Sequence, residues 1–174
     1  GGFNFGTPLA YLKIWNNINN KSIYQQIFQN ILPINVLNLS DYNIEKIIKK
    51  FNKKSNLSLL GYASALESIS ECVIRRKLDI NAKFNSIITM SEGINLKNRS
   101  QIQQSLGCPV YARYSNVENG IIAQQISMSS DMYLINSSSY YVEILSFEND
   151  LQVKNGQIGR IVITDYFNRG MPMI

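Results

Sequence analysis

Histidine is missing from all 174 residues. That removes Ser-His and Cys-His nucleophile pairs and every zinc motif that needs an imidazole. Any chemistry therefore falls to carboxylates, lysines, arginines, hydroxyls or a bound cation. Cysteine is nearly missing too. Cys72 and Cys108 are too few for a disulfide framework in a chain of this size, and both are expected as buried neutral thiols. No apolar run approaches eighteen residues, so no membrane span is expected. The opening Gly1-Gly2-Phe3-Asn4-Phe5-Gly6 has neither a basic start nor an apolar core and is no signal peptide. The expected location is the cytoplasm. With no initiator Met and an end on Met171-Pro172-Met173-Ile174, the sequence reads as an internal portion of a longer polypeptide.

What is present is ordinary for a globular domain: 45% hydrophobic residues, 17% charged residues and a mean hydropathy of -0.10. The length suits one domain with a real core. A net charge of +5 and a pI near 9.2 favour an anionic partner. The lysines concentrate between Lys46 and Lys54, where the intervening apolar residues keep helical spacing, so they read as the wet face of an amphipathic helix. Ten tyrosines on a basic surface would suit a stacking groove, yet no nucleic-acid motif accompanies them, and a nucleic acid is not the expected partner.

Taken in order, residues 1–40 are the least readable and are expected to form a poorly defined helical segment. Ala10 to Asn19 and Ile23 to Leu32 carry helix-like apolar spacing, and Pro33 should stop the second. From Ser40 the pattern sharpens. Ser40 or Asp41 caps a helix with Ile44, Ile47, Ile48 and Phe51 inward. Leu57 to Leu60 is a short buried strand closed by Gly61, and Ser64-Ala-Leu-Glu67 reads as a capping box opening a helix. Ser86 to Thr89 is the next strand. Asn95 caps a further helix that Gly107 ends.

Pro109 to Gln125 then gives two strands, Val110 to Arg113 and Ile121 to Ile126, around the turn signal Asn119-Gly120. On local pattern alone this stretch is a hairpin with a solvated Glu118. After Ile126 the pattern is β, with strands at Tyr140 to Leu145 and Ile158 to Thr164 and a turn at Asn155-Gly156. The expected fold class is α/β: an open, mostly parallel sheet with flanking helices, followed by a β-meander. The expected divisions are 1–40, an α/β pocket subdomain at 41–126 and a β-rich segment at 127–174. In such sheets ligands bind at the carboxyl ends of the strands, where Gly61 to Ser64, Ser91 to Gly93 and Ser115 to Gly120 would meet.

Five pieces in this order resemble one family: Gly61-Tyr-Ala-Ser-Ala-Leu66, Met90-Ser-Glu-Gly93, Tyr114-Ser-Asn-Val-Glu-Asn-Gly120, Tyr141-Val-Glu-Ile-Leu145 and Gly156-Gln-Ile-Gly-Arg-Ile-Val-Ile-Thr-Asp165. The order is similar to the adenylate-forming enzymes, in the phenylacetate–coenzyme A ligase branch, with relatives linked to capsular polysaccharide biosynthesis the nearest in pattern. The resemblance covers roughly residues 57–174 and implies part of the large N-terminal domain of such a ligase. That family joins a carboxylate to the α-phosphate of ATP, releases pyrophosphate and passes the acyl group to coenzyme A or another acceptor.

The resemblance also implies roles for residues. Tyr114 would stack on adenine, with Ser115 and Asn116 beside the phosphates, and Glu118 would act in catalysis by holding Mg2+ against them. Ser91, Glu92 and Gly93 would form the adenine-side loop. Gly61, Tyr62 and Ala63 would line the acyl pocket, and Thr164-Asp165 would be structural. Two positions depart from the family pattern: Ser115 stands where it has glycine, and Val117 stands where it has a phosphate-contacting hydroxyl. The family's Ser/Thr/Gly-rich phosphate loop and C-terminal catalytic lysine have no counterpart here. A binding or assembly module that keeps the fold without the chemistry therefore stays open, and so does a homodimer through uncovered surface.

Overall fold

Leu57-Ser-Leu-Leu60 and Ser86-Ile-Ile-Thr89 have no polar face to offer water, and both become interior strands of one sheet. The computed structural model describes residues 6–127 and 131–168. In chain order the elements are β1 (Leu9–Lys13), α1 (Ile23–Phe28), β2 (Ile31–Asn35), α2 (Asp41–Phe51), β3 (Asn56–Tyr62), α3 (Ala63–Arg76), β4 (Lys83–Met90) and α4 (Leu96–Leu106), then β5 (Val110–Asn116), β6 (Gly120–Gln125), β7 (Tyr133–Ile135), β8 (Tyr140–Leu145) and β9 (Arg160–Asp165). Seven strands lie in the order β2-β1-β3-β4-β5-β6-β7. The first five are parallel, and β6 and β7 continue the sheet antiparallel. β8 and β9 form a separate antiparallel ribbon, with Tyr140 opposite Asp165 and Leu145 opposite Arg160.

Crossovers carry the chain from β2 to β3, β4 and β5, and α2, α3 and α4 share one core against the sheet. Strand residues Ala10, Leu12, Leu57, Leu59, Ile87 and Val110 meet Ile44, Ile48 and Phe51 of α2, Leu66 and Ile69 of α3, and Ile102 and Leu106 of α4. Each of the larger aliphatic and aromatic side chains stabilises the fold by about 1.5–3 kcal/mol when fully buried. Ser105 donates to Ser70 at 2.8 Å and ties α4 to α3. On the opposite face Tyr11, Leu60, Tyr111 and Arg113 are only partly buried. Both cysteines are free and buried.

The N-terminal segment differs from the helical expectation. Ala10 to Asn19 begins as strand β1, because Ala10 and Leu12 are both buried on alternate positions of one strand. The asparagines then turn the chain: Asn16 Oδ1 accepts the N–H groups of Ile18 and Asn19. The segment Ile23 to Leu32 splits. Its first six residues are α1, opened by a capping box between Ser22 and Gln25, and its last two enter β2. Pro33 sits inside β2 and does not break it. The bonds from Leu9 N–H to Asn30 O and from Val36 N–H to Lys13 O direct alternate β2 nitrogens toward β1 and leave the nitrogen of Pro33 on the open edge. The expected meander is likewise divided, since β7 joins the large sheet and β8–β9 stands as its own ribbon.

One polar clasp holds α2 to α3. Arg75 donates to both oxygens of Asp41 at 2.9 and 2.6 Å, and Arg76 reaches Glu45 at 2.7 Å. The Arg75 hydrogen bond holds the Asp41 carboxyl below its usual value. A depressed folded pKa gives stability that is present above the unfolded value, near pH 4, and is lost as pH falls through the folded value. Asp41→Asn should therefore lower stability at neutral pH and flatten the acid limb of a urea-midpoint profile below about pH 4. An unchanged acid limb in the variant would contradict this role.

Candidate functional site

Because β3, β4 and β5 are parallel, the segments that leave them emerge at one edge of the sheet. The first two are joined by a carboxylate. Glu92 accepts the backbone N–H of Ser64 at 2.7 Å and its hydroxyl at 3.0 Å. Ser64 is the second residue of α3, whose own cap residue, Tyr62, makes no side-chain cap. Glu92 thus supplies the cap from another loop, and its charge faces the positive end of the helix. The capping box expected between Ser64 and Glu67 does not open this helix. Ser91 sits at φ 64, a left-handed turn that swings Glu92 back toward α3.

The third segment is the β5–β6 turn. Asn116 Oδ1 accepts the N–H of Asn119 at 2.7 Å, so this side chain builds the turn. Gly120 alone supplies a positive φ there, +80°, and Asn119 does not. The Tyr140 hydroxyl donates to Asn119 O and ties the turn to β8. Glu118 and Val117 are exposed, Val117 at 98%, and Glu118 makes no hydrogen bond or ion pair with the described residues. A shift of register between Tyr114 and Ser115 places a bulge at the start of the turn. Tyr114 is partly exposed and forms one wall of an apolar cavity of about 390 Å3, with Ile122, Tyr133, Ile135, Val142 and Ile161 among its lining.

The sequence-derived site residues therefore divide. Ser91, Glu92, Gly93, Tyr114, Ser115, Asn116 and Glu118 all stand at this edge, and Tyr62 keeps surface there. Gly61 and Ala63 are buried. A methyl group on Gly61 would lie 2.6 Å from Leu12 Cβ, so glycine is required there by the close approach of β1 and β3. Asp165 Oδ1 accepts the N–H groups of Phe167 and Asn168, a structural turn. Two buried polar residues had no sequence signal. Gln125 holds the Ala112 N–H at 3.0 Å across the hairpin. Arg99 reaches Asp131 at 3.3 Å, and its Nε and Nη1 have no acceptor among the described residues. Among the described residues no three side chains form a metal cage. Glu118 alone fits a cation carried mainly by phosphates and water.

No family model and no curated protein matches the sequence. The fold does match solved structures. An open conformation of 2-hydroxyisobutyryl-CoA ligase, in complex with 2-HIB-AMP and CoA, superposes with a TM-score of 0.75 at 16% identity, over 99% of this chain and 39% of that one. The anthranilate CoA ligase AuaEII, in complex with anthranoyl-AMP, gives 0.64 at 12% identity over 92% of this chain and 32% of that one. ATP-bound MatB from Rhodopseudomonas palustris gives 0.58 at 13% identity over 91% and 32%. The chain thus spans about two-fifths or less of the length of these ligases. Its architecture, a mostly parallel seven-stranded sheet plus an antiparallel ribbon, is that of the N-terminal domain of adenylate-forming ligases.

Two outcomes follow from this geometry. Gly61→Ala should cost about 1–3 kcal/mol in urea denaturation, through overpacking against Leu12; a neutral result would mean that β1 and β3 separate freely. Glu92→Ala should cost about 1 kcal/mol, the usual worth of a helix cap, with Glu92→Gln losing less because an amide oxygen still accepts the Ser64 N–H. Equal losses in the two variants would show that the bridge depends on charge alone.

Proposed function

We propose that this chain is the nucleotide- and acyl-facing part of an enzyme that activates a carboxylic acid as an acyl adenylate and then transfers it to coenzyme A or another acceptor. The observation that carries the reading is the pairing of Tyr114 and Glu118 on one hairpin: an aromatic ring on an apolar wall and, four residues on, an exposed carboxylate with no partner among the described residues. A ring beside an apolar cavity suits a planar base, and stacking of this kind contributes about 1–3 kcal/mol. Glu118 would hold Mg2+, which when bound neutralises charge on the ATP phosphates.

The chain's own residues have positioning roles in this reaction. Glu92 fixes the Ser91–Gly93 loop to α3, and this holds the adenine-side backbone still relative to the Tyr62 wall. Asn116 and Tyr140 fix the turn that carries Glu118. No imidazole base is required, because the attacking acid is already a carboxylate at neutral pH. The nearest family pattern, the phenylacetate–coenzyme A ligase branch and its capsular polysaccharide relatives, gives the direction in which to look for the acid.

A second reading has one specific support. Val117, almost fully exposed, stands where a phosphate-contacting hydroxyl belongs, which favours a binding or assembly module without chemistry. Calorimetry with Mg-ATP separates the cases at the level of binding. Tyr114→Ala should weaken binding roughly tenfold, equivalent to about 1.4 kcal/mol, and Glu118→Gln should remove the dependence on Mg2+. Absence of nucleotide binding, or binding indifferent to both changes, would remove the adenylation reading.

A further inference from the structure

The face of the sheet opposite α2–α4 carries a cavity of about 290 Å3 whose lining includes Ser58, Ser86, Leu60, Ile88, Arg113 and Gln124. It is unlike the apolar cavity beside Tyr114, because a cation lies in it. Arg113 donates from Nε to Gln124 Oε1 at 3.1 Å, and the structure shows no other partner for it among the described residues. Arginine brings five donors, so four N–H groups of the guanidinium are left for something else.

Among the described residues no carboxylate supplies that partner. Ser58 and Ser86 are buried and satisfy one another, hydroxyl to hydroxyl at 3.2 Å. The acids paired to cations among the described residues, Asp41, Glu45, Asp131 and Asp150, are all engaged with arginines other than Arg113. Partial burial pulls the pKa of Arg113 below its usual value, against a smaller opposite pull from the nearby Tyr11 phenol. Lys13, another cation of this sheet, is occupied: its Nζ lies 4.4 Å from the Trp15 ring centroid and 5.2 Å from that of Tyr11.

The shape of the guanidinium selects its ligand. A guanidinium is a planar fork that matches a carboxylate in two parallel hydrogen bonds. One uncompensated cation calls for one negative charge, which disfavours a phosphate dianion. Leu60 and Ile88 call for an apolar stem behind that charge.

We propose that this cavity is a carboxylate-binding site, in which the Arg113 fork receives a single carboxylate whose apolar stem lies over Leu60 and Ile88. The carboxylate has two sources: a free monocarboxylic acid, or an Asp or Glu side chain of a protein segment seated on this face. Parallel sheets are covered on both faces, which favours the side chain. The site is separate from the edge that carries Tyr114 and Glu118, and it stands or falls independently of the nucleotide reading.

The test follows the Nε–Hε resonance of Arg113 by 15N NMR, in this chain and in the full-length gene product. In this chain butyrate should shift the resonance saturably at millimolar concentration. Butanol and inorganic phosphate at matched ionic strength should not, and Arg113→Gln should weaken the response at least tenfold while Arg75→Gln leaves it intact. If the full-length product shows the resonance already at its bound position and indifferent to butyrate, the source is a protein side chain. If the full-length product still responds, the source is a free acid. A resonance that keeps its free position with butyrate in both proteins overturns the site, as does a response that survives Arg113→Gln or is matched by phosphate.

Discussion

Parallel pairing of β3, β4 and β5 is the constraint from which the rest of the structure follows. Parallel strands cannot be joined by tight turns, so β3 to β4 and β4 to β5 must each be joined by a crossover. Here those crossovers are α3 and α4, and they bury one face of the sheet. The same geometry sends the three strand ends to one edge, so Tyr62, Ser91–Gly93 and the Tyr114–Gly120 hairpin become neighbours without any interaction that draws them there. The arrangement of this edge is a by-product of topology, refined by a few polar contacts.

Those contacts share one design. The loops at this edge are each fastened by a side-chain hydrogen bond. Glu92 fastens the β4 loop to the start of α3, Asn116 closes the β5–β6 turn on itself, and Tyr140 braces that turn from the ribbon. Glu118, in contrast, is left without a partner among the described residues. A carboxylate kept free on a braced turn is available for an external cation, whereas one tied into the scaffold, such as Glu92, is not. This difference separates two acidic residues that the sequence presents alike.

The sequence was readable wherever a single period dominated. Ile44, Ile47, Ile48 and Phe51 repeat with helical spacing, and all four are buried on α2. Asn95 and Gly107 bound α4 as their chemistry requires. The N-terminal forty residues misled because the alternation in β1 is only two buried residues long, Ala10 and Leu12, before asparagines fold the chain back. Pro33 misled because its effect depends on which strand edge its nitrogen faces, which is a property of the assembled sheet. The Ser64–Glu92 bridge joins residues 28 apart and has no local signature, so Ser64 was assigned to the nearer Glu67. Gly61 carried a pattern match to a substrate wall, and its physical requirement proved to be the approach of Leu12.

The central claim is that this edge serves carboxylate activation. The most direct measurement is carboxylate-dependent exchange of labelled pyrophosphate into ATP by the full-length gene product, across a panel of aryl and alkyl acids, with Glu118→Gln alongside. Exchange that depends on one class of acid and collapses in the variant is the result expected. A folded protein that shows no exchange with any acid and no binding of ATP would contradict the claim.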